Sequence, residues 1–559
     1  MCAEIGSDPS RRKFIRGLAV GAAALPAADL LGRGLPGGAR GDSAQGAAMN
    51  QAAASGTVGA TSVPQHTFNV FAYGAIGDGK TLNTIAIQKA IDACAAAGGG
   101  TVLVSGGVFL TGPLFLKSNI VFEVAVGATL QGSPNFSDYP SMAGRWEGLD
   151  RTIYASLLTG TDLENVTIQG RGTLDGNGAI WWDAFHKTMA LRTQLGLQAR
   201  EPDNPPGSPL AWPRARMINL YRSKNIVIRD LSITNSPSWN IHPVDCENVL
   251  IDGVSIVNPK MSPNTDGIDP ESCRNVRIAN CYISTGDDCI VLKSGYKYIP
   301  DHPFAPCDGV VVTNCYFGFG HAGVGIGSET AGGVRNVAVS NCVCDGTTRG
   351  LYIKTARGRG NVIEDVRADN WVLRNIEQEP VMVTMVYQGS DPKKAMPVDA
   401  TTPTVRNIYF SGVTARTAKR AILIQGLAES PVQNVYLRDI VVESAATGAV
   451  CAQAVGVTFE NVIVDADGGP SLMASDTRDL EILRFRTTKA NPGQPVIQLN
   501  GVQSVVVESC SAAPGNDVLV EVAGPANEDV QLLRNRYNAG GAPVTYTGGA
   551  SDNVVTRRD

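Results

Sequence analysis

Short segments in which apolar and polar residues alternate recur along most of this chain. They run Asn165-Val-Thr-Ile168, Asn225-Ile-Val-Ile228, Asn248-Val-Leu-Ile251, Asn275-Val-Arg-Ile278, Gly309-Val-Val-Val312 and Asn336-Val-Ala-Val339. The series continues with Asn407-Ile-Tyr-Phe410, Asn434-Val-Tyr-Leu437, Gly456-Val-Thr-Phe459, Asp479-Leu-Glu-Ile482, Ser504-Val-Val-Val507 and Asp529-Val-Gln-Leu532. Alternation over a few positions is strand periodicity, and most neighbouring starts lie about 22–27 residues apart, a solenoid period. Leucine-rich repeats need a leucine skeleton these units lack, and propeller blades are about 40 residues long. The pattern therefore predicts an all-β fold, a right-handed parallel β-helix whose coils stack at about 4.8 Å, with Asn and Gly at tight bends. A helix over Thr84–Ala97, with Ile85, Ile87, Ala90, Ile91 and Cys94 at helical spacing and a Gly98-Gly99-Gly100 stop, is expected to cap the open N-terminal end. The polar stretch Arg200–Pro213 reads as a long loop. One β-helix domain over 67–540 follows, with 541–559 as a C-terminal tail.

Composition narrows the class. Charged residues are 18% of the chain and hydrophobic ones 43%, with 62 glycines and a formal net charge of −5. Such a chain is not disordered. Without a basic block it is not expected to track the phosphates of nucleic acid. At the N-terminus, Arg11-Arg12-Lys13 precedes an apolar run from Gly17 to about Leu31 that is too short to span a bilayer. A twin-arginine n-region ahead of a short h-region is an export signal of the Tat type. Residues 1–48 are thus expected to be signal and linker, and the protein to be periplasmic or secreted. Of 12 cysteines, Cys281, Cys315 and Cys342 each fall six residues after a repeat start, while Cys246, Cys273 and Cys307 each fall two before one. Same-register thiols on stacked strands predict free, packed cysteines rather than bridges.

Acidic residues gather on two adjacent repeats. Asn264-Thr265-Asp266-Gly267-Ile268-Asp269 is followed one coil later by Gly286-Asp287-Asp288, then by Gly320-His321-Ala322 and Tyr352-Ile353-Lys354. Any one of these has an ordinary reading as a turn acid, a structural histidine or a surface lysine. Adjacent carboxylates, however, repel and cost stability unless something uses them. Together the residues suit glycoside hydrolysis. One carboxylic acid protonates the leaving oxygen, and a carboxylate activates water on the opposite face. Crowding raises one proton affinity, and a nearby lysine suits an anionic sugar.

This ordered set resembles glycoside hydrolase family 28, the polygalacturonase family. Phe71–Gly79, Gly172–Gly178 with Trp181-Trp182, Asn235–Trp239 with His242, Ile326–Glu329 and Arg349-Gly350 agree with it. The resemblance covers roughly 67–535 and implies a pectin lyase-like right-handed β-helix cleaving pectic α-linkages with inversion. No metal or cofactor is expected. It implies Asp287 as general acid, Asp266 and Asp288 as the pair activating water, His321 as tuning the acid, and Lys354 with Tyr387 at the substrate carboxylate. Asn264, Tyr352, Arg349, Trp239 and His242 are further candidates for substrate binding. Trp181 and Trp182 read equally as sugar platforms or core.

Two departures matter. The family's Arg-Ile-Lys is Tyr352-Ile353-Lys354 here, so a cation is lost unless Arg349 or Arg357 replaces it. Its Gly-His-Gly is Gly320-His321-Ala322. The first departure leaves rhamnogalacturonan or a substituted pectin open as the substrate. Extra length between Asp288 and His321, bearing Tyr296, Tyr298, His302 and three prolines, resembles the exo-acting bacterial branch and is expected to close one end of the cleft. The rivals are a pectate lyase, which needs a strong base beside calcium, and a non-catalytic carbohydrate-binding β-helix. The expected partner is a pectic polysaccharide or oligosaccharide. Neither nucleic acid nor, in the mature form, a membrane is expected, and the chain is expected to be a monomer.

Overall fold

Inward-facing residues of successive coils stand directly above one another. On the first face the column runs Val166, Ile226, Val249, Val276, Val310, Val337, Val366, Ile408, Val435, each paired in register with the next. On the second it runs Leu174, Ile233, Ile256, Ile283, Phe317. On the third it runs Ile218, Ile241, Ile268, Ile290, Val324, Leu351, Val381, Ile422. All these pairings are parallel, so the chain winds as a right-handed parallel β-helix around one continuous apolar column, as the repeats predict. This computed structural model describes residues 66–196, 214–389, 391–538 and 541–558. The export segment and the loop Arg200–Pro213 lie outside them. Among the described residues no helix is long and apolar enough to cross a membrane.

The repeat asparagines adopt left-handed φ: Asn165, Asn225, Asn248 and Asn275 lie at 56–59°. Asparagine tolerates that conformation better than other L-residues do. Each amide also donates to the asparagine below, from Asn165 to Asn119, Asn225 to Asn165, Asn248 to Asn225 and Asn275 to Asn248, at 2.9–3.2 Å. The cysteines among the described residues are buried free thiols, and those of Cys281, Cys315 and Cys342 each donate to the carbonyl two residues before them, at 3.1–3.3 Å.

Helix α1 (Thr84–Ala96) caps the first coil through Ile87, Ala90, Ile91 and Cys94, but Ile85 is 73% exposed. A second helix, α2 (Ala179–Gln194), is not foretold by its weakly amphipathic sequence. The expected tail is instead another coil. Ala542–Thr547 pairs in parallel with Val518–Ala523, and Val555–Arg558 with Glu528–Leu533.

One insertion breaks the coil pattern beside the acids. Ser141–Trp146 and Leu149–Tyr154 form an antiparallel hairpin with a two-residue turn, Glu147-Gly148, both at positive φ. It leaves the helix just before the third-face strand Leu158–Thr161. Its tip docks at the opposite edge of that face, where Tyr296 N donates to Gly148 O at 3.0 Å. A Cβ at position 148 would stand 2.3 Å from Tyr296 N, so glycine is required there twice over. The hairpin is therefore a strap across the third face.

Candidate active site

The third face positions the chemistry through its offsets from the inward column. Asp266 lies two residues before Ile268, and Asp288 two before Ile290. Asp269, Val291, Gly325 and Tyr352 lie one residue after their inward neighbours and so face outward on consecutive coils. Lys293 and Lys354 lie three residues after. Pro270, without an N–H, reduces the ladder here to isolated bridges at Ile268 and Glu271.

His321 Nδ1 lies 2.9 Å from Asp287 Oδ1, and its backbone N–H donates to Asp287 O. Lys354 Nζ reaches across an intervening coil to Asp288 Oδ2 at 2.7 Å. It passes Gly325, where a Cβ would come within 3.2 Å of that same oxygen. Asn264, at φ 50°, has its side-chain oxygen bonded by Arg214 at 2.6 Å, and its amide faces Asp287 at 3.5 Å. Lys293 Nζ sits between Asp266 Oδ2 (3.3 Å) and Asp269 Oδ1 (3.1 Å). The other oxygens of Asp266 and Asp288 are buried without a protein hydrogen-bond partner. Ala322 lies outside the left-handed region, so replacing the family's second glycine costs the backbone nothing.

Burial, then the charge of Asp287, pushes the Asp266 carboxyl well above the usual carboxylate range. Burial acts in the same direction on Asp287, but the hydrogen bond and charge of His321, with Lys354 and Lys293 behind them, hold it down at about 2. The bond to Asp287 raises His321 in turn. Burial works against the Lys354 ammonium, yet Asp288 overcomes it and raises that group. Of the two carboxyls, then, Asp266 has the higher proton affinity and Asp287, beside the His321 imidazole, the lower. Asp287, Asp288 and His321 present atoms within 4.8 Å of one another. That spacing alone admits a cation, but protein cations already neutralise both carboxylates.

The structure gathers Asp266, Asp287, Asp288, His321 and Lys354 into one cluster, and the side-chain amide of Asn264 joins it beside Asp287. Tyr387 is half-buried, with Lys354 Nζ 5.6 Å from its ring centre. Tyr352 is sandwiched between Lys354 and Arg349, each 4.6 Å from its ring. Arg349, held by Glu379 at 3.1 Å, is thus the cation beside the altered position. Arg357 is turned away, bonded to Glu429 at 2.6 Å. Two expectations are corrected. Trp239 is 2% exposed and stacks on Trp146 of the strap at 4.8 Å. His242 is fully buried against Glu271 at 3.1 Å. The strap covers both, and neither offers a surface to a sugar. Trp181 is core, packed on Phe136, Tyr139 and Tyr154, and Trp182 Nε1 donates to Ser236 O. Lys293, Arg214 and the strap stand at this cluster and are missed by sequence reasoning. Lys293 alone carries a usable signal, since it shares with Lys354 the offset of three from the inward column.

Residues 94–460 match the model of glycosyl hydrolases family 28. A probable polygalacturonase of Vitis vinifera is 32% identical over 401 residues, 69% of this chain and 76% of that protein. An endo-polygalacturonase of Pectobacterium carotovorum is 31% identical over 65% of this chain and 85% of its own. Among solved structures, a hyperthermoactive exopolygalacturonase from Thermotoga maritima superposes with a TM-score of 0.63 at 31% identity, over 72% of this chain and 92% of that one.

Proposed function

The chain belongs to glycosyl hydrolase family 28 and is a glycoside hydrolase of polygalacturonase type, and from that premise we propose that it is an exported, exo-acting, inverting hydrolase of galacturonan. The observation that carries the exo reading is the strap. It crosses the third face on the N-terminal side of Asp266, pinned by Arg145 to Asp245 (3.3 Å) and Glu271 (3.6 Å) and by its tip to Tyr296. Residues 294–306 extend that wall, with Arg359 lying 3.8 Å over the Tyr296 ring. A sugar chain reaching the acids from the Lys354 side ends against the strap.

In this reading Asp287 delivers the proton to the leaving oxygen, while Asp266 and Asp288 share the attacking water through their unpartnered oxygens. The proton inventory of the free enzyme must then be rearranged, and an anionic substrate does so. A uronate carboxylate drawing Lys354 from Asp288 removes positive charge from beside Asp287, so the proton that Asp266 holds more tightly in the free enzyme passes to Asp287 and leaves Asp266 ionised to act on the water. Arg349 restores some of the positive charge lost at Tyr352, which supports an acidic sugar over a neutral one. The Tat-type N-terminus supports export.

The test is product analysis. Wild type and Asp287→Asn are incubated with polygalacturonate, rhamnogalacturonan and reduced oligomers in EDTA, and products are read by mass spectrometry and anomer by NMR. Saturated monomer of inverted configuration from polygalacturonate, falling about 10²–10⁴-fold in Asp287→Asn, is the expected result. Internal fragments refute exo action, and release only from the rhamnose-containing polymer moves the substrate.

A further inference from the structure

Lys293 is deeply enclosed for a charged residue. Its side chain is 5% exposed, between Asp266 and Asp269, and the ring of Trp239 lies 4.1 Å over its ammonium. Trp239 is in turn covered by Trp146 of the strap, with near-parallel rings, and Arg216 stacks on both indoles. Moving an ammonium into such a place is costly unless its charge is used.

We propose that Lys293 is a positioning residue for the reaction. Its ammonium orients Asp266 and sets how readily that carboxylate takes a proton from water, and the strap holds the ammonium in place through Trp239. The inference rests on the assignment of Asp266 to the attacking water. Around Asp266 the charges are Asp269 on its own coil, Asp287 and Asp288 on the next, Lys293 at the end of that coil, and Arg214 from the preceding side. Glu329 faces Lys293 and Glu147 of the strap faces Arg214. Among the described residues of this set, Lys293 is the cation in contact with the Asp266 carboxylate. Asp269 competes for it, at the shorter distance.

Two substitutions should therefore move Asp266 in opposite directions. Lys293→Met leaves Asp266 among acids and raises its proton affinity. Asp269→Asn removes a negative charge and frees Lys293 for Asp266, which lowers it. The experiment measures kcat and KM against pH, on whichever pectic polymer the wild type hydrolyses, for wild type, Lys293→Met, Lys293→Arg and Asp269→Asn, with thermal unfolding as a folding control. Lys293→Met should lower kcat about 10–100-fold with KM changed less than about threefold. The acid limb of kcat/KM should move up by about one pH unit, and Lys293→Arg should bring it back toward wild type. Asp269→Asn, near-isosteric and expected to fold even where Lys293→Met does not, should move the limb down. A limb unmoved in every folded variant overturns the proposal and leaves the hydrolase reading standing, whereas a wild type that hydrolyses no polymer overturns both.

Discussion

The coils from Asn264 to Lys354 and those from Val432 to Thr547 are built on the same stacked columns, yet their outward rows on the third face differ. In the later coils that row is Met473, Gln498, Glu521 and Thr545, paired in register along an unbroken ladder. In the earlier coils it is Asp269, Val291, Gly325 and Tyr352, with a ladder broken at Pro270 and the strap lying over its N-terminal side. Concavity is not the distinction, since it is the later coils that line a cavity of about 530 Å³, beside Gln453, Asp476 and Arg478. What separates them is the amount of buried charge: Asp266, Asp269, Glu271, Asp288, Lys293 and Lys354 are all less than a tenth exposed, whereas among the described charged residues of the later coils Asp465 alone is. Desolvated ions are weak contributors to stability, so the regular coils supply the rigidity on which the site depends.

The contrast is broken most forcefully by a cavity in the later coils. Phe459 is fully buried and meets Phe485 of the next coil edge to face. Phe459→Ala should cost about 3–5 kcal/mol, read as a lower denaturant midpoint, while the folded fraction keeps its kcat. A kcat that falls with stability would mean that the later coils shape the site directly.

The converse test is His321→Asn. His321 has a half-exposed side chain (53%), so solvent screens much of its pairing and the melting temperature should hardly move. Because Asp287 raises the His321 proton affinity, the imidazolium survives above its ordinary value of about 6.5. The stability it contributes is complete below that pH and is lost as pH rises through the raised value. Asp287, held down at about 2, contributes from its ordinary value of about 3.8 upward and loses that contribution as pH falls toward 2. The pair is intact between these limits. Wild type should therefore show an alkaline limb in its rate above pH ~6.5. His321→Asn should lose that limb and about 10–100-fold in kcat.

The sequence makes the repeating part of this molecule legible and the covering part illegible, for a physical reason. Alternation and spacing report residues that face a common core, and Asp266, Asp287, Asp288, His321 and Lys354 ride on that spacing. The strap reports nothing of the kind. Glu147-Gly148 is not among the dipeptides that announce a two-residue hairpin, and no local pattern says which face the arms will cover. Trp239 and His242 therefore read as groove residues although Trp146 and Glu271 enclose them. The last coil escapes notice for a simpler reason, since Val554 stands at the point where the other repeats carry Asn or, less often, Gly, Asp or Ser.

That asparagine gives the smallest effect and the sharpest form of the comparison, because Asn248 lies in a coil beside the acids but on the first face. Its amide donates to Asn225 at 3.1 Å and its oxygen accepts from Asn275 at 3.2 Å, with φ at 57°. Asn248→Ala loses both ladder bonds and puts in the left-handed region a residue that tolerates it less well than asparagine, together costing about 1 kcal/mol at this partly exposed position. Asn248→Gly keeps the backbone free, as Gly309 and Gly456 do at the same point of other coils, and should recover the conformational share but not the bonds. Both variants should leave kcat and the pH profile unchanged. If so, the division between scaffold and site runs between faces within one coil, and not merely between early and late coils. A change in kcat at Asn248, far around the coil from Asp266, would instead mean that the ladder transmits strain to the acids.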